Sequence, residues 1–247
     1  MRMKLGLVKP GAKAGRDNVT FWTSHAPRGI EIVASDLGYK RPDKETFESG
    51  WTRAEALATD LADRGCNLIV VSGTPPFLLR GHAFEKQWRE SLSIRIETPV
   101  VTAMEAHALA LRFLQARKVV VATYYGDELN QAIATYLAAF DIEAVALGGF
   151  SLTGTYEALF TTPMRLQASI TSQQFYDYCY GRVAERAADA DALYINGAGW
   201  DVAPSIAKLE EDLGMDVVWG PVAEMWHSYN LLGIRNRRAD CGRLLKG

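Results

Sequence analysis

Cysteine is scarce in this chain of 247 residues, occurring only at Cys66, Cys179 and Cys241. An odd number of widely spaced thiols, with no CxxC pair and no histidine at ligand spacing in the sequence, argues against a disulfide framework and against a zinc site. Histidine is nearly as rare. The four present, His25, His82, His107 and His227, form neither an HExxH pattern nor a recognisable triad with serine. Long apolar runs are missing too: nothing reaches the roughly 18 residues of a membrane span. The apolar stretch before Pro10 and Gly11 is too short for a secretory signal. These absences predict a cytoplasmic protein without a membrane partner. Charge of one sign is also lacking, with 27 basic against 29 acidic residues and a net charge of -2. Beyond Arg235, Arg237 and Arg238 there is no basic cluster, so the chain carries no electrostatic footprint for nucleic acid, and a small-molecule partner fits better.

What is present is an ordinary globular balance, 48% hydrophobic and 23% charged. Short β-branched apolar runs recur at Leu5 to Val8, Ile30 to Val33, Leu68 to Val71, Pro99 to Val101, Val119 to Ala122, Ile142 to Leu147, Ala192 to Ile195 and Val217 to Trp219. They read as buried strands. Between most of them lie helical patterns, at Thr52 to Arg64, His82 to Leu92, Ala103 to Ala116, Asp127 to Phe140, Ser172 to Ala188, Pro204 to Leu213 and Val222 to Leu232. Alternating strand and helix implies parallel sheet.

The order of the strands repeats. Lys4 to Lys9 matches Lys118 to Thr123, Gly29 to Val33 matches Asp141 to Val145, Asn67 to Gly73 matches Asp191 to Gly197, and Thr98 to Thr102 matches Met215 to Trp219. A duplicated unit follows. The fold class expected is α/β with two pseudo-symmetric lobes, each a mainly parallel four-stranded sheet flanked by helices. Residues 1–115 plus 221–247 would form the first lobe and residues 116–220 the second. Ligands bind beyond the carboxyl ends of parallel strands, so the site is expected in the cleft between the lobes, near Ser72-Gly73-Thr74 and Asn196-Gly197-Ala198. Glycine at a strand tip lets backbone N–H groups approach an anion. The less periodic stretches Gly11 to Arg28, Ser35 to Gly50 and Gly148 to Ile170 are candidate walls.

The duplicated unit, Gly73-Thr74, the segment Thr123-Tyr124-Tyr125-Gly126-Asp127-Glu128-Leu129-Asn130, the Asn196-Gly197-Ala198-Gly199 turn and the Ala223-Glu224-Met225-Trp226-His227 helix resemble the aspartate/glutamate racemase superfamily, in particular its arylmalonate decarboxylase and maleate isomerase branch. The resemblance implies a substrate carboxylate held by backbone N–H groups and hydroxyls, no metal or organic cofactor, and a homo-oligomer. It assigns hydroxyl-donor roles to Thr74 and Tyr125, with Pro10, Gly73, Pro75, Asn196, Gly197, Ala198 and Gly199 around the substrate. It also marks a departure. Racemases and isomerases of the superfamily use two cysteines where this chain has Gly73 and Gly197, and the decarboxylase keeps the second. Glycine can act neither as nucleophile nor as acid, and the three cysteines present are expected to be structural.

Other candidates come from the residues themselves. Lys9 ends the first strand beside Pro10, at the expected cleft mouth, and could pair a carboxylate or deliver a proton. Thr74, before Pro75 and Pro76, is expected in an extended turn. Asp127 and Glu128 suit a helix start. His107 and His227 read as packing, His25 and His82 as surface, and Glu224 as a residue that could face the cleft. Phe21, Trp22, Phe77, Phe150, Tyr156, Phe160 and Trp200 would line an apolar cleft or pack the core. The function expected is decarboxylation, or a related lyase reaction, of a small mono- or dicarboxylate through an oxyanion-stabilised enediolate without a cysteine proton donor. The alternatives are isomerisation, hydration or hydrolysis with activated water, and a non-catalytic binding relative.

Overall fold

The computed structural model of the protein describes residues 3–11, 18–39, 44–148, 171–186, 189–197, 202–235 and 238–246. Its strands are β1 (Met3–Lys9), β2 (Ile30–Asp36), β3 (Leu68–Val71), β4 (Val100–Thr102), β5 (Lys118–Ala122), β6 (Glu143–Ala146), β7 (Ala192–Ile195) and β8 (Asp216–Trp219). They form two four-stranded sheets, ordered β2-β1-β3-β4 and β6-β5-β7-β8, with every pairing parallel. The two orders are the same once β1 is laid on β5, and the sequence matches fall on corresponding strands. β3 and β7 are buried along their whole length. This is why both read as continuous apolar runs rather than alternating ones.

Among the described residues the helices are α1 (Asn18–His25), α2 (Lys44–Asp63), α3 (Pro75–Arg80), α4 (His82–Arg95), α5 (Ala103–Phe113), α6 (Asp127–Ala138), α7 (Ser172–Arg186), α8 (Ala203–Leu213) and α9 (Gly220–Leu231). Three differ from expectation. α1 lies in a stretch that reads as loop, and α2 starts at Lys44 rather than Thr52. α3 begins where an extended turn is expected. Thr74 is in the right-handed helical region, at φ -84 and ψ -34, and caps a helix whose first positions are Pro75 and Pro76. The first turn of a helix leaves its N–H groups without intrahelical partners, so prolines cost no hydrogen bond there. That tolerance outweighs the usual bias of a residue before proline.

Helix α9 leaves the end of β8 and packs against α5, reaching β3 and β4 of the first sheet. One continuous apolar core includes Leu5, Leu68 and Leu111 with Val120, Leu193 and Val218. Each such fully buried side chain contributes about 1.5–3 kcal/mol relative to exposure. None of the described helices is long and apolar enough to cross a membrane.

Candidate active site

In each sheet the order of strands reverses between the two central members, β1 and β3 or β5 and β7, which is where parallel sheets open a crevice at their carboxyl ends. The two crevices meet. Thr74 follows β3, Tyr125 follows β5 and Asn196 follows β7. The Thr74 hydroxyl lies 3.0 Å from the Tyr125 hydroxyl and donates to Asn196 Oδ1 at 2.9 Å. All three side chains are buried. Threonine has one proton to give, so Thr74 accepts from Tyr125 while it donates to Asn196. Burial raises the Tyr125 hydroxyl above its ordinary pKa, partly offset by the hydrogen bond with Thr74, so at neutral pH it is a neutral donor.

The segment around Tyr125 explains the spacing of its motif. Thr123 Oγ1 accepts from the Tyr125 N–H at 3.2 Å and donates to Asn130 Oδ1 at 2.7 Å. Asn130 Nδ2 returns to the Tyr125 carbonyl at 2.9 Å. Three residues from the strand end and the first turn of α6 thereby clamp one backbone unit. Asp127 and Glu128 are exposed in the first turn of α6, where the helix dipole favours acids.

A second set of polar groups holds Asn196. Its Nδ2 donates to the Tyr194 hydroxyl at 2.8 Å, and that hydroxyl lies 2.7 Å from His107 Nδ1. His107 Nε2 faces Glu224 Oε1 at 3.5 Å, and the Ser72 hydroxyl donates to the same oxygen at 3.1 Å. The Asn196 amide has its carbonyl toward Thr74 because its NH2 group is taken by Tyr194. Burial raises Tyr194 well above its ordinary pKa, keeping it protonated. Sequence reading gives His107 as packing and leaves Glu224 open to the cleft. In the fold both are buried, joined to the site through Tyr194 and Ser72 rather than exposed in it.

The strand-tip glycines are closely covered. Gly73 has φ +105, and a Cβ there would lie 2.7 Å from Pro10 Cγ. Gly197 has φ +141, and a Cβ there would overlap the ring of Tyr124. Both conformations lie in the region that favours glycine. Trp219 Nε1 donates to the Gly197 carbonyl at 2.9 Å, and Phe21 packs edge-on to Trp219 at 4.9 Å. Among the described residues, no hydrogen bond from the Gly73 or Thr74 N–H is formed. Ala198 and Gly199 lie outside the described residues, as do Phe150, Tyr156, Phe160 and Trp200.

Lys9 Nζ pairs with Asp36 Oδ2 at 3.0 Å, its side chain largely covered. Burial alone would raise the Asp36 carboxyl, but hydrogen bonds from the Gly38 N–H and Lys9 hold it below its ordinary value. Trp22 and Phe77 are core residues. The ring of His82 packs on Phe140 at 4.6 Å.

All three cysteines are buried and free. Burial pushes the thiol of Cys66 up, that of Cys241 to about 12, and that of Cys179 well above its usual value. His25, Asp240 and Cys241 bring ligand-type atoms within 4.8 Å of one another, a proximity that sequence spacing conceals. Asp240 is already gripped by Arg238 at 2.6 and 3.0 Å, so its carboxylate is committed to a guanidinium.

The family model for arylmalonate decarboxylase matches residues 5–245. The chain belongs to that family. Arylmalonate decarboxylase from Bordetella bronchiseptica is 26% identical over 204 residues, covering 83% of this chain and 81% of the relative. A doubly substituted arylmalonate decarboxylase solved in its liganded form superimposes with a TM-score of 0.84 at 24% identity, covering 98% of both chains. The maleate isomerase of Pseudomonas putida S16 solved with maleate gives 0.84 at 20% identity, over 99% of this chain and 98% of that one. A maleate cis-trans isomerase from Nocardia farcinica, solved with a covalently bound succinylcysteine intermediate, gives 0.83 at 17% identity over 98% of each chain. The protein is thus an enzyme of the arylmalonate decarboxylase family, with a fold that maleate isomerases share.

Proposed function

We propose that this enzyme is a carboxy-lyase, removing carbon dioxide from a small substituted malonate without a cysteine proton donor. The observation that carries the reading is the meeting of Thr74, Tyr125 and Asn196 from both sheets in one buried hydrogen-bonded row. A carboxylate entering beside that row takes the Tyr125 and Thr74 protons as hydrogen bonds in place of the internal ones, and the Gly73 and Thr74 N–H groups add donors from the strand tip. As the neighbouring carboxylate leaves as carbon dioxide, its electron pair passes into an enediolate on the retained carboxyl. One preorganised donor aimed at such an oxyanion contributes about 3–4 kcal/mol of barrier lowering. Lys9 meets a substrate carboxylate by exchanging its partner Asp36 for it. Gly197, with Pro10 and Pro75, borders the substrate.

Isomerisation through a thiol adduct is the less favoured reading, because glycines hold both strand tips and the cysteines are buried with raised pKa values. The test is carbon dioxide release from phenylmalonate by purified protein. Turnover is expected, with Thr74→Ala and Tyr125→Phe each lowering kcat by about 10²–10³-fold. Unchanged turnover in both variants would contradict the assigned roles, and incorporation of labelled oxygen from water into the product would favour hydration or hydrolysis instead.

A further inference from the structure

We propose that Glu224 is a positioning residue that ties the tips of β3 and β7 to one another, an assignment whose effect on turnover rests on the decarboxylase reading and whose geometry does not. Helix α9, which carries Glu224, leaves the end of β8 in the second sheet and packs against α5. The Glu224 side chain is buried, and one of its oxygens, Oε1, is the meeting point of two arms. The short arm is direct. Ser72, at the end of β3, donates to Oε1 at 3.1 Å. Gly73 has no side chain to fix the turn that follows, so this bond is the last side-chain anchor before Thr74.

The long arm runs through α5. His107 Nε2 faces Oε1 at 3.5 Å, its Nδ1 lies 2.7 Å from the Tyr194 hydroxyl, and that hydroxyl accepts from Asn196 Nδ2 at 2.8 Å. The helix that carries Glu224 also seats the imidazole, since a Cβ at Gly220 would lie 2.6 Å from His107 Cε1. The arms meet again at the site, where Thr74 donates to Asn196 Oδ1 at 2.9 Å. The contacts therefore close into a ring, out from Glu224 along the tip of β3 and back along the tip of β7. Every side chain in it is at most 5% exposed.

A closed, buried ring transmits a displacement that an open chain would absorb. Glu224 stands across it from the contact between Thr74 and Asn196, and Tyr125 hangs from that contact at 3.0 Å from the Thr74 hydroxyl. Glu224 touches no member of this row, so it acts through the two arms. Removing its acceptor oxygen frees Ser72 and His107 to reorient separately, and the strand tips lose their common reference. A misplacement of about 1 Å at reacting groups is enough to cost about 10²-fold in rate. Packing is a poor account of this residue. Its second oxygen, Oε2, is buried without a hydrogen bond among the described residues, a burden on folding that an apolar side chain of the same size would not impose.

The test uses the full chain, with phenylmalonate as the kinetic probe and the Asn196 side-chain amide as a probe that needs no substrate. Glu224→Met keeps the volume and removes the acceptor. Its kcat is expected to fall by about 10–10²-fold with KM changed by less than about threefold. The Asn196 NH2 signal in proton–nitrogen correlation spectra, identified by its absence in Asn196→Asp, is expected to move. Glu224→Gln keeps an acceptor oxygen and is expected to return the signal towards its wild-type position and to raise kcat at least about fivefold over Glu224→Met. Ser72→Ala cuts the short arm alone and should lower kcat by about three- to tenfold; added to Glu224→Met it should lower kcat by less than about twofold more, because that arm is already cut. Wild-type kcat in Glu224→Met, equal losses in the Met and Gln variants, or losses that multiply in the double variant would each overturn the tie. Should Glu224→Met not fold, wild-type kcat in Ser72→Ala overturns it by itself. A wild type that releases no carbon dioxide overturns the decarboxylase reading, and the tie is then decided by the Asn196 signal: moved in Glu224→Met and restored in Glu224→Gln it holds, unmoved it fails.

Discussion

His107 Nδ1 lies 2.7 Å from the Tyr194 hydroxyl, joining helix α5 to strand β7 of the opposite sheet. Through that contact a histidine outside the substrate row fixes which way the Asn196 amide faces. Tyrosine at 194 accepts from Asn196 Nδ2, so the amide carbonyl is left for Thr74, and the proton order of the hydroxyl row follows.

Tyr194→Phe removes this anchor while keeping the ring. It leaves His107 Nδ1 without its hydroxyl partner and Asn196 Nδ2 with only the weak Met104 sulfur contact at 3.5 Å. The expected loss of stability is about 1–3 kcal/mol, read from urea denaturation. A fall in kcat of about tenfold should accompany it, because Thr74 loses a fixed acceptor. A variant as stable and as active as wild type would contradict the anchoring role.

Thr123→Val should act on the site through backbone position alone. The hydroxyl that receives the Tyr125 N–H and feeds Asn130 is lost, at nearly constant volume. Stability is expected to fall by about 1–3 kcal/mol, with a drop in kcat larger than any change in KM. Thr123→Ser, which keeps the oxygen, should recover most of both; steady-state kinetics and thermal melts on the two variants decide it.

Glu85 gives the fold a pH dependence unrelated to catalysis. Burial pushes its carboxyl up to about 7, against the Glu105 N–H, which donates to Oε1 at 3.2 Å and acts to lower it. A pKa raised in the folded state favours the protonated form. The stability it supplies is therefore complete below the unfolded value near 4.5 and is lost as pH rises through about 7. The loss across that window is about 3 kcal/mol. Denaturant midpoints measured from pH 4.5 to 8 should fall in wild type, and Glu85→Gln should flatten the slope and be the more stable protein at pH 8. Parallel curves for the two proteins would show that Glu85 does not titrate there.

Much of this architecture is legible in the chain because buried parallel strands advertise themselves. Leu68 to Val71 and Ala192 to Ile195 are apolar on both faces, and their repetition in order locates both sheets and both strand tips. The motif from Thr123 to Asn130 is legible for a related reason, since the hydrogen bonds that clamp its backbone are local. What escapes sequence reading depends on residues far apart. Ser72 and Glu224 meet across 152 positions, and His107 and Tyr194 across 87, with no periodicity to announce either contact. The overlap of Tyr124 with Gly197 is equally invisible, because it depends on how two strand tips from one sheet converge. Helix α3 is missed for a local reason. Two consecutive prolines suggest extended chain, yet both stand in the one turn of a helix that does not need their N–H groups.

The close cover over the two strand-tip glycines limits what either position can carry. At position 73 a new side chain would meet the Pro10 ring at 2.7 Å, at position 197 it would overlap Tyr124, and at both it would inherit a backbone made for glycine. A side chain at either tip therefore requires the neighbouring ring to shift and accepts a strained backbone. The room for chemistry at these two positions is thus set by Pro10 and Tyr124, and a smaller side chain at either neighbour is what would open it.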